Sequence, residues 1–175
     1  MLSEKRIKEA ESNVNKYLKE GLLKKSDFNK QILDILKKNA DESLEVAIFL
    51  NKNNKSSLWI IVVSYYSMFY LANALLYRLG YKVGDKIAHK VTADALMIFA
   101  REKIKDALIE GYEEIRDEAL AKMKSDELIE YFDFERRKRS FIQYNTPEEI
   151  KISKVKTSLE RAKEFMFQIS KLLEE

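Results

Sequence analysis

Residues 56–77 read SSLWIIVVSYYSMFYLANALLY, twenty-two positions without a charge in a chain that is 35% Asp, Glu, Lys and Arg. About 20 apolar residues of helix suffice to cross a bilayer. Four Tyr, several Ser and Asn73 are an odd complement for lipid, however, and Arg78 follows at once. No second such stretch exists, so the segment reads as the central helix of a helical bundle, covered by neighbours on every face, and no membrane partner is expected. Small residues at Ser64, Ser67, Ala72 and Ala74 let other helices approach. Tyr66, Tyr70, Asn73 and Tyr77 fall at i, i+4, i+7 and i+11, one stripe of polar-tipped groups that need partners when buried. Gly80 is the expected helix stop, because Gly adopts the left-handed conformation at C′ without a Cβ penalty.

The totals narrow the class. One domain spanning residues 1–175 is the prior for this length, large enough to bury its own core. Four Gly and one Pro leave little material for turns and none for a sandwich or barrel, so the expected fold is all-α: a mainly up-and-down bundle. Zero Cys excludes disulfides and thiolate chemistry. With no secretory pattern at the N-terminus, the expected location is the cytoplasm. One His argues against zinc, which wants three or four ligands, and nothing in the sequence implies another metal or any cofactor. A net charge of +3 is too small to indicate nucleic acid by itself.

Along the chain, residues 2–20 read as a polar helix with Ile7, Ala10, Val14, Tyr17 and Leu18 on one side, stopped at Gly21. So thin a stripe predicts a loosely held N-terminal extension (1–25) ahead of a core of about five helices (26–173). A second helix is predicted from an N-cap near Ser26 to the turn at Asn51–Lys55. After the central helix and a short loop holding Gly84 and Asp85, a further helix is expected from Ile87 to Ile109, interrupted at Gly111. A more polar helical region then runs to Tyr144, with a break near Ser125. Thr146-Pro147-Glu148-Glu149 supplies a capping box for the last helix, whose apolar positions are Ile152, Val155, Leu159, Ala162, Met166, Ile169 and Leu173. Spacings of three and four predict bundle packing.

One stretch departs from this amphipathic background. Phe134 and Glu135 precede four successive cations, Arg136, Arg137, Lys138 and Arg139, and Phe141 and Tyr144 follow. Cations neutralise phosphates and aromatic rings stack on unpaired bases, which suits RNA. A charge run at a helix end is equally a solvated surface that favours the negative end of the dipole.

Ser64-Tyr65-Tyr66-Ser67-Met68-Phe69-Tyr70-Leu71-Ala72-Asn73-Ala74-Leu75-Leu76, then Leu79-Gly80-Tyr81 and Ala88-His89-Lys90-Val91, resemble the second helix and following turn of HEPN domains (higher eukaryotes and prokaryotes nucleotide-binding). Outside these two blocks the likeness is one of pattern. Tyr70 stands where relatives often carry His, and Asn73 where they often carry a basic residue. The resemblance implies a homodimer and a metal-free endoribonuclease site, built from an Arg followed four to six residues later by His. Arg139 with Tyr144, or Arg137 with Ile142, occupies that spacing here, and in either register the His is absent. His suits proton transfer because its ordinary pKa is about 6.5. Ile cannot replace it, and Tyr, near 10, needs strong perturbation. Arg139 and Tyr144 are therefore the catalytic candidates by resemblance, Arg139 as a stabiliser of phosphorane-like charge. The same resemblance implies a nucleotidyltransferase partner protein that modifies the motif Tyr, here Tyr144. Nucleotide binding would use Tyr66, Tyr70 and Asn73 with the cationic run. Read from residues alone, that stripe is a hydrogen-bonded core or subunit contact, and His89 orders a loop or helix end. The competing function is a non-catalytic, dimeric helical-bundle interaction protein.

Overall fold

The computed structural model describes residues 2–134 and 152–174. The cationic run 136–139, Tyr144 and the capping box at 146–149 lie outside the described residues. Six helices are described: α1 (Glu4–Glu20), α2 (Lys30–Lys52), α3 (Ser57–Arg78), α4 (Ala88–Phe99), α5 (Asp106–Phe134) and α6 (Ile152–Glu174). The protein is an all-α bundle with one small ribbon, β1 (Leu23–Lys25) paired antiparallel to β2 (Tyr81–Val83).

α3 is the axis, in contact with α2, α4, α5 and α6. Ser56 caps it by accepting from the Trp59 amide, and more than half of its residues are buried. It is long and apolar enough to cross a membrane, yet the bundle covers most of it. Trp59, in its first turn, remains exposed, while Met68 is enclosed. On α6 the spacing of three and four puts Val155, Leu159, Ala162, Met166, Ile169 and Leu173 in the core. Ile152, assigned to the same stripe, is 84% exposed instead.

Two glycines explain the ribbon. Gly21 (φ 72°) ends α1 and Gly80 (φ 87°) follows α3, each left-handed, and in both cases the chain leaves extended. The two exits then pair, Leu23 opposite Val83. Leu23 is wholly buried there beside Leu76, Val91 and Ala95, while Tyr81 stacks on Phe99 at 4.0 Å. The N-cap of α2 is Asn29, three residues past the expected Ser26, its side chain accepting from the Gln31 amide at 2.9 Å.

The expected helix from Ile87 to Ile109 is divided. α4 stops at Phe99, a turn over 100–105 tucks Ile104 into the core, and α5 starts at Asp106. α5 passes through Gly111 and Ser125 without the predicted breaks. Gly111 is retained within the helix where a Cβ would come to 3.6 Å from the Arg161 side chain of α6.

α1 is not loosely held. Ala10, Val14 and Tyr17 are buried, and the helix supplies a row of hydrogen-bond donors to α4 and α5. Asp94, fully buried on α4, accepts from Arg6 Nη2 (2.5 Å), Asn13 Nδ2 (3.0 Å) and the Tyr17 hydroxyl (2.9 Å). Arg6 also donates to Glu113 of α5 at 2.6 Å, and Glu113 lies 3.5 Å from Arg116. Burial opposes the Arg6 charge, but hydrogen bonds to Glu113 and Asp94 outweigh it and hold the guanidinium more firmly protonated than usual.

Candidate functional site

Between α2, α3, β2 and the start of α4 lies a cleft of about 380 Å³. That volume falls in the range of small-molecule sites, about 300–1,000 Å³. α3 contributes the sequence stripe: Tyr66, Tyr70, Asn73 and Tyr77 line the cleft, joined by Phe69. The helical repeat that aligned them in sequence therefore leaves three of them on an open wall rather than in a closed core. Tyr77 is the exception, being buried with its hydroxyl donating to the Asp27 carbonyl at 2.9 Å. Asn73 Nδ2 donates to the Phe69 carbonyl at 2.8 Å, and Thr92 donates weakly to Asn73 Oδ1 at 3.4 Å. This fixes the amide and leaves each of its ends with spare hydrogen-bonding capacity.

The opposite side is the segment 81–89, with Lys82 and Asp85 at the edge. Within it, though not lining the cleft, is Ile87, a β-branched residue at φ 47°. Such a conformation costs about 1–2 kcal/mol in L-residues and concentrates at functional sites. His89, two residues on, brings its ring to 4.6 Å from Phe69 and 5.8 Å from Tyr66, the latter edge-on. Tyr66 and Tyr70 are 6.0 Å apart. These rings form one aromatic wall, with centroid spacings in the favourable range.

Behind the wall, Tyr65 is fully buried and its hydroxyl meets His89 Nδ1 at 2.7 Å. Burial, reinforced by Tyr112, raises the Tyr65 pKa far above the usual phenol value. For His89, burial first and then the positive charge of Arg116 lower the pKa. Burial and the neighbouring Tyr70 raise that of Tyr66. Both shifts favour the uncharged forms of Tyr66 and His89 near neutral pH.

No family model, curated protein or solved structure matches the chain. Its function has to be argued from the cleft.

Of the residues singled out in the sequence, Tyr66, Tyr70 and Asn73 are brought together here, while Arg136, Arg137, Lys138, Arg139 and Tyr144 fall outside the described residues. His89, expected to order a loop or helix end, lies in the first turn of α4, meets Tyr65 of α3 and lines the cleft. Phe69, Lys82 and Asp85 were not anticipated. The available signal for Tyr65 was its place in a charge-free helix: a buried Tyr needs a partner, and His89 is the single His of the chain.

Proposed function

We propose that this protein binds RNA or a nucleotide, with an unpaired base held against the aromatic wall of the α3–α4 cleft and the cationic run 136–139 engaging phosphate. The observation that carries the reading is the open wall of Tyr66, Phe69, Tyr70 and His89. Base-on-ring stacking is worth about 1–3 kcal/mol and tolerates any base. The HEPN resemblance supports the same ligand class. Cleavage by the HEPN route is not part of the proposal, because Ile142 or Tyr144 stands where the proton-transferring His belongs. If Arg139 and Tyr144 nevertheless form a catalytic pair, metal-free RNA cleavage by the wild type will be lost in Arg139→Ala.

The test is RNA-oligonucleotide binding across a salt series. Tyr70→Ala should weaken binding about tenfold without changing its salt slope, the loss of one stacking contact. Arg136, Arg137 and Arg139 changed together to Ala should flatten the slope by up to about three units. Wild-type protein with no salt-sensitive affinity would reject the proposal.

A second reading, the dimeric interaction protein, draws on α2. Ile35, Val46 and Phe49 lie within one narrow arc of that helix and are exposed. The Lys38–Glu42 ion pair separates Ile35 from the other two, so Val46 and Phe49, one turn apart, are the apolar pair that would serve a contact. Under that reading the protein sediments as a homodimer and Phe49→Glu makes it monomeric. A nucleotidyltransferase partner would instead show itself as covalent modification of Tyr144, detectable by mass.

A further inference from the structure

We propose that His89 is the specificity-determining residue of the cleft: an imidazole locked by Tyr65 so that Nε2 donates a hydrogen bond to the ligand. Its target would be a nucleobase that presents a carbonyl oxygen or an unprotonated ring nitrogen. This inference rests on the base-binding reading of the cleft and adds the edge contact that separates nucleobases, all of which carry such an acceptor, from plain aromatic rings.

The lock follows from satisfying the Tyr65 hydroxyl. Tyr65 is fully buried, and its hydroxyl meets His89 Nδ1 at 2.7 Å. The neighbouring Tyr112 hydroxyl is buried too but makes no hydrogen bond of normal geometry, which leaves Nδ1 as the best-placed acceptor for Tyr65. A protonated phenol left without an acceptor in the interior costs about 1–3 kcal/mol. With Tyr65 donating to Nδ1, the proton of a neutral imidazole resides on Nε2.

Nε2 has no protein partner among the described residues, although His89 lines the cleft and is only half-buried. The cleft thus contains a preset donor beside a stacking surface. Phe69 lies 4.6 Å from the imidazole, with Tyr66 and Tyr70 continuing the wall. A flat ring laid on that wall has its edge beside the donor, and an edge acceptor completes the bond. Rings without an acceptor gain stacking alone, which is how a donor discriminates.

The experiment compares uridine 5′-monophosphate, whose base carries two carbonyl acceptors, with phenyl phosphate, which has a ring and a phosphate but no ring acceptor. Wild type should bind the nucleotide about tenfold more tightly, the worth of one hydrogen bond. His89→Phe keeps an aromatic ring in place and should remove that preference, read as the ratio of the two affinities. The single His allows the lock to be read directly from the imidazole ¹⁵N signals. Nδ1 should appear pyridine-type and Nε2 pyrrole-type, the latter shifting on addition of the nucleotide. Tyr65→Phe should convert this to a tautomer mixture and reduce the nucleotide preference. Retention of the preference in a folded His89→Phe variant, or a pyrrole-type Nδ1 in wild type, would overturn the inference while base binding stands. If neither ligand binds wild type, the base-binding reading falls as well.

Discussion

Arg6 and Asp94 stand 88 positions apart in sequence and meet at 2.5 Å, the guanidinium of α1 against a carboxylate that α4 buries completely. Removing one partner of a buried pair costs about 3–5 kcal/mol because the other is left uncompensated. Arg6 keeps some solvent contact, and Asn13 and Tyr17 still reach Asp94, so Arg6→Ala should cost less, about 2–3 kcal/mol by urea denaturation. Arg6→Lys should recover only part of this, because one ammonium cannot reproduce the fork that holds Asp94 and Glu113 together. A loss below about 0.5 kcal/mol in Arg6→Ala would show that α1 is held by its apolar stripe alone.

The pH dependence of stability has a definite sign at His89. Burial and Arg116 lower its pKa in the folded state, so just below the ordinary value of 6.5 the unfolded chain binds more protons than the folded one. The His89 contribution is fully present above that pH and is lost as pH falls toward the folded-state pKa. Urea midpoints at pH 7.5 and 6.0 should therefore differ more for wild type than for His89→Gln. Equal differences would mean that His89 does not titrate as its surroundings dictate.

Ile87 should be improvable. Its φ of 47° suits Asn, and its side chain is 55% exposed, so little packing is lost on replacement. Ile87→Asn should raise the denaturation midpoint by the equivalent of about 1 kcal/mol. A lower midpoint would show that the Ile side chain contributes packing which exposure alone does not reveal.

At Gly80 the effect runs the other way. A Cβ there would meet nothing within 4 Å, so any cost of Gly80→Ala comes from backbone strain at φ 87°. Destabilisation of about 1–2 kcal/mol is expected for Ala, and less for Asn. Equal losses for Ala and Asn would point to a rearranged turn.

How much of this was legible depended on whether a feature is local. The α3 core and the α6 stripe are periodic patterns, and Gly21 and Gly80 stop helices through their own conformational freedom; such signals survive in a bare sequence. The turn at 100–105 is different. Arg101-Glu102-Lys103 are good helix formers, and burial of Ile104 overrides them. The ribbon has strands of three residues, too short for alternation to register, and exists because two helix exits lie side by side. In the cleft, the spacing of Tyr66, Tyr70 and Asn73 was visible, whereas the Tyr65–His89 contact joins two helices and required the fold. Asp94 gave no signal either: a lone acid on an apolar helix finds its partners only once α1 docks.

The route of α1 across the molecule also bears on the order of assembly. α2 and α3 adjoin through a four-residue turn and can meet soon after collapse, since closing a short loop costs little chain entropy. The N-terminal helix must wait for α4, whose Asp94 is some eighty positions away, and so its docking belongs on the native side of the folding barrier. Substitutions at Arg6 or Tyr17 should then accelerate unfolding and leave the refolding rate nearly unchanged, whereas Ala40→Gly within the α2–α3 hairpin should slow refolding. Slowed refolding in the Arg6 variant would instead place α1 in the nucleus. With α1 docking after the hairpin, its local opening would expose the fully buried Asp94 carboxylate before the hairpin core is disturbed.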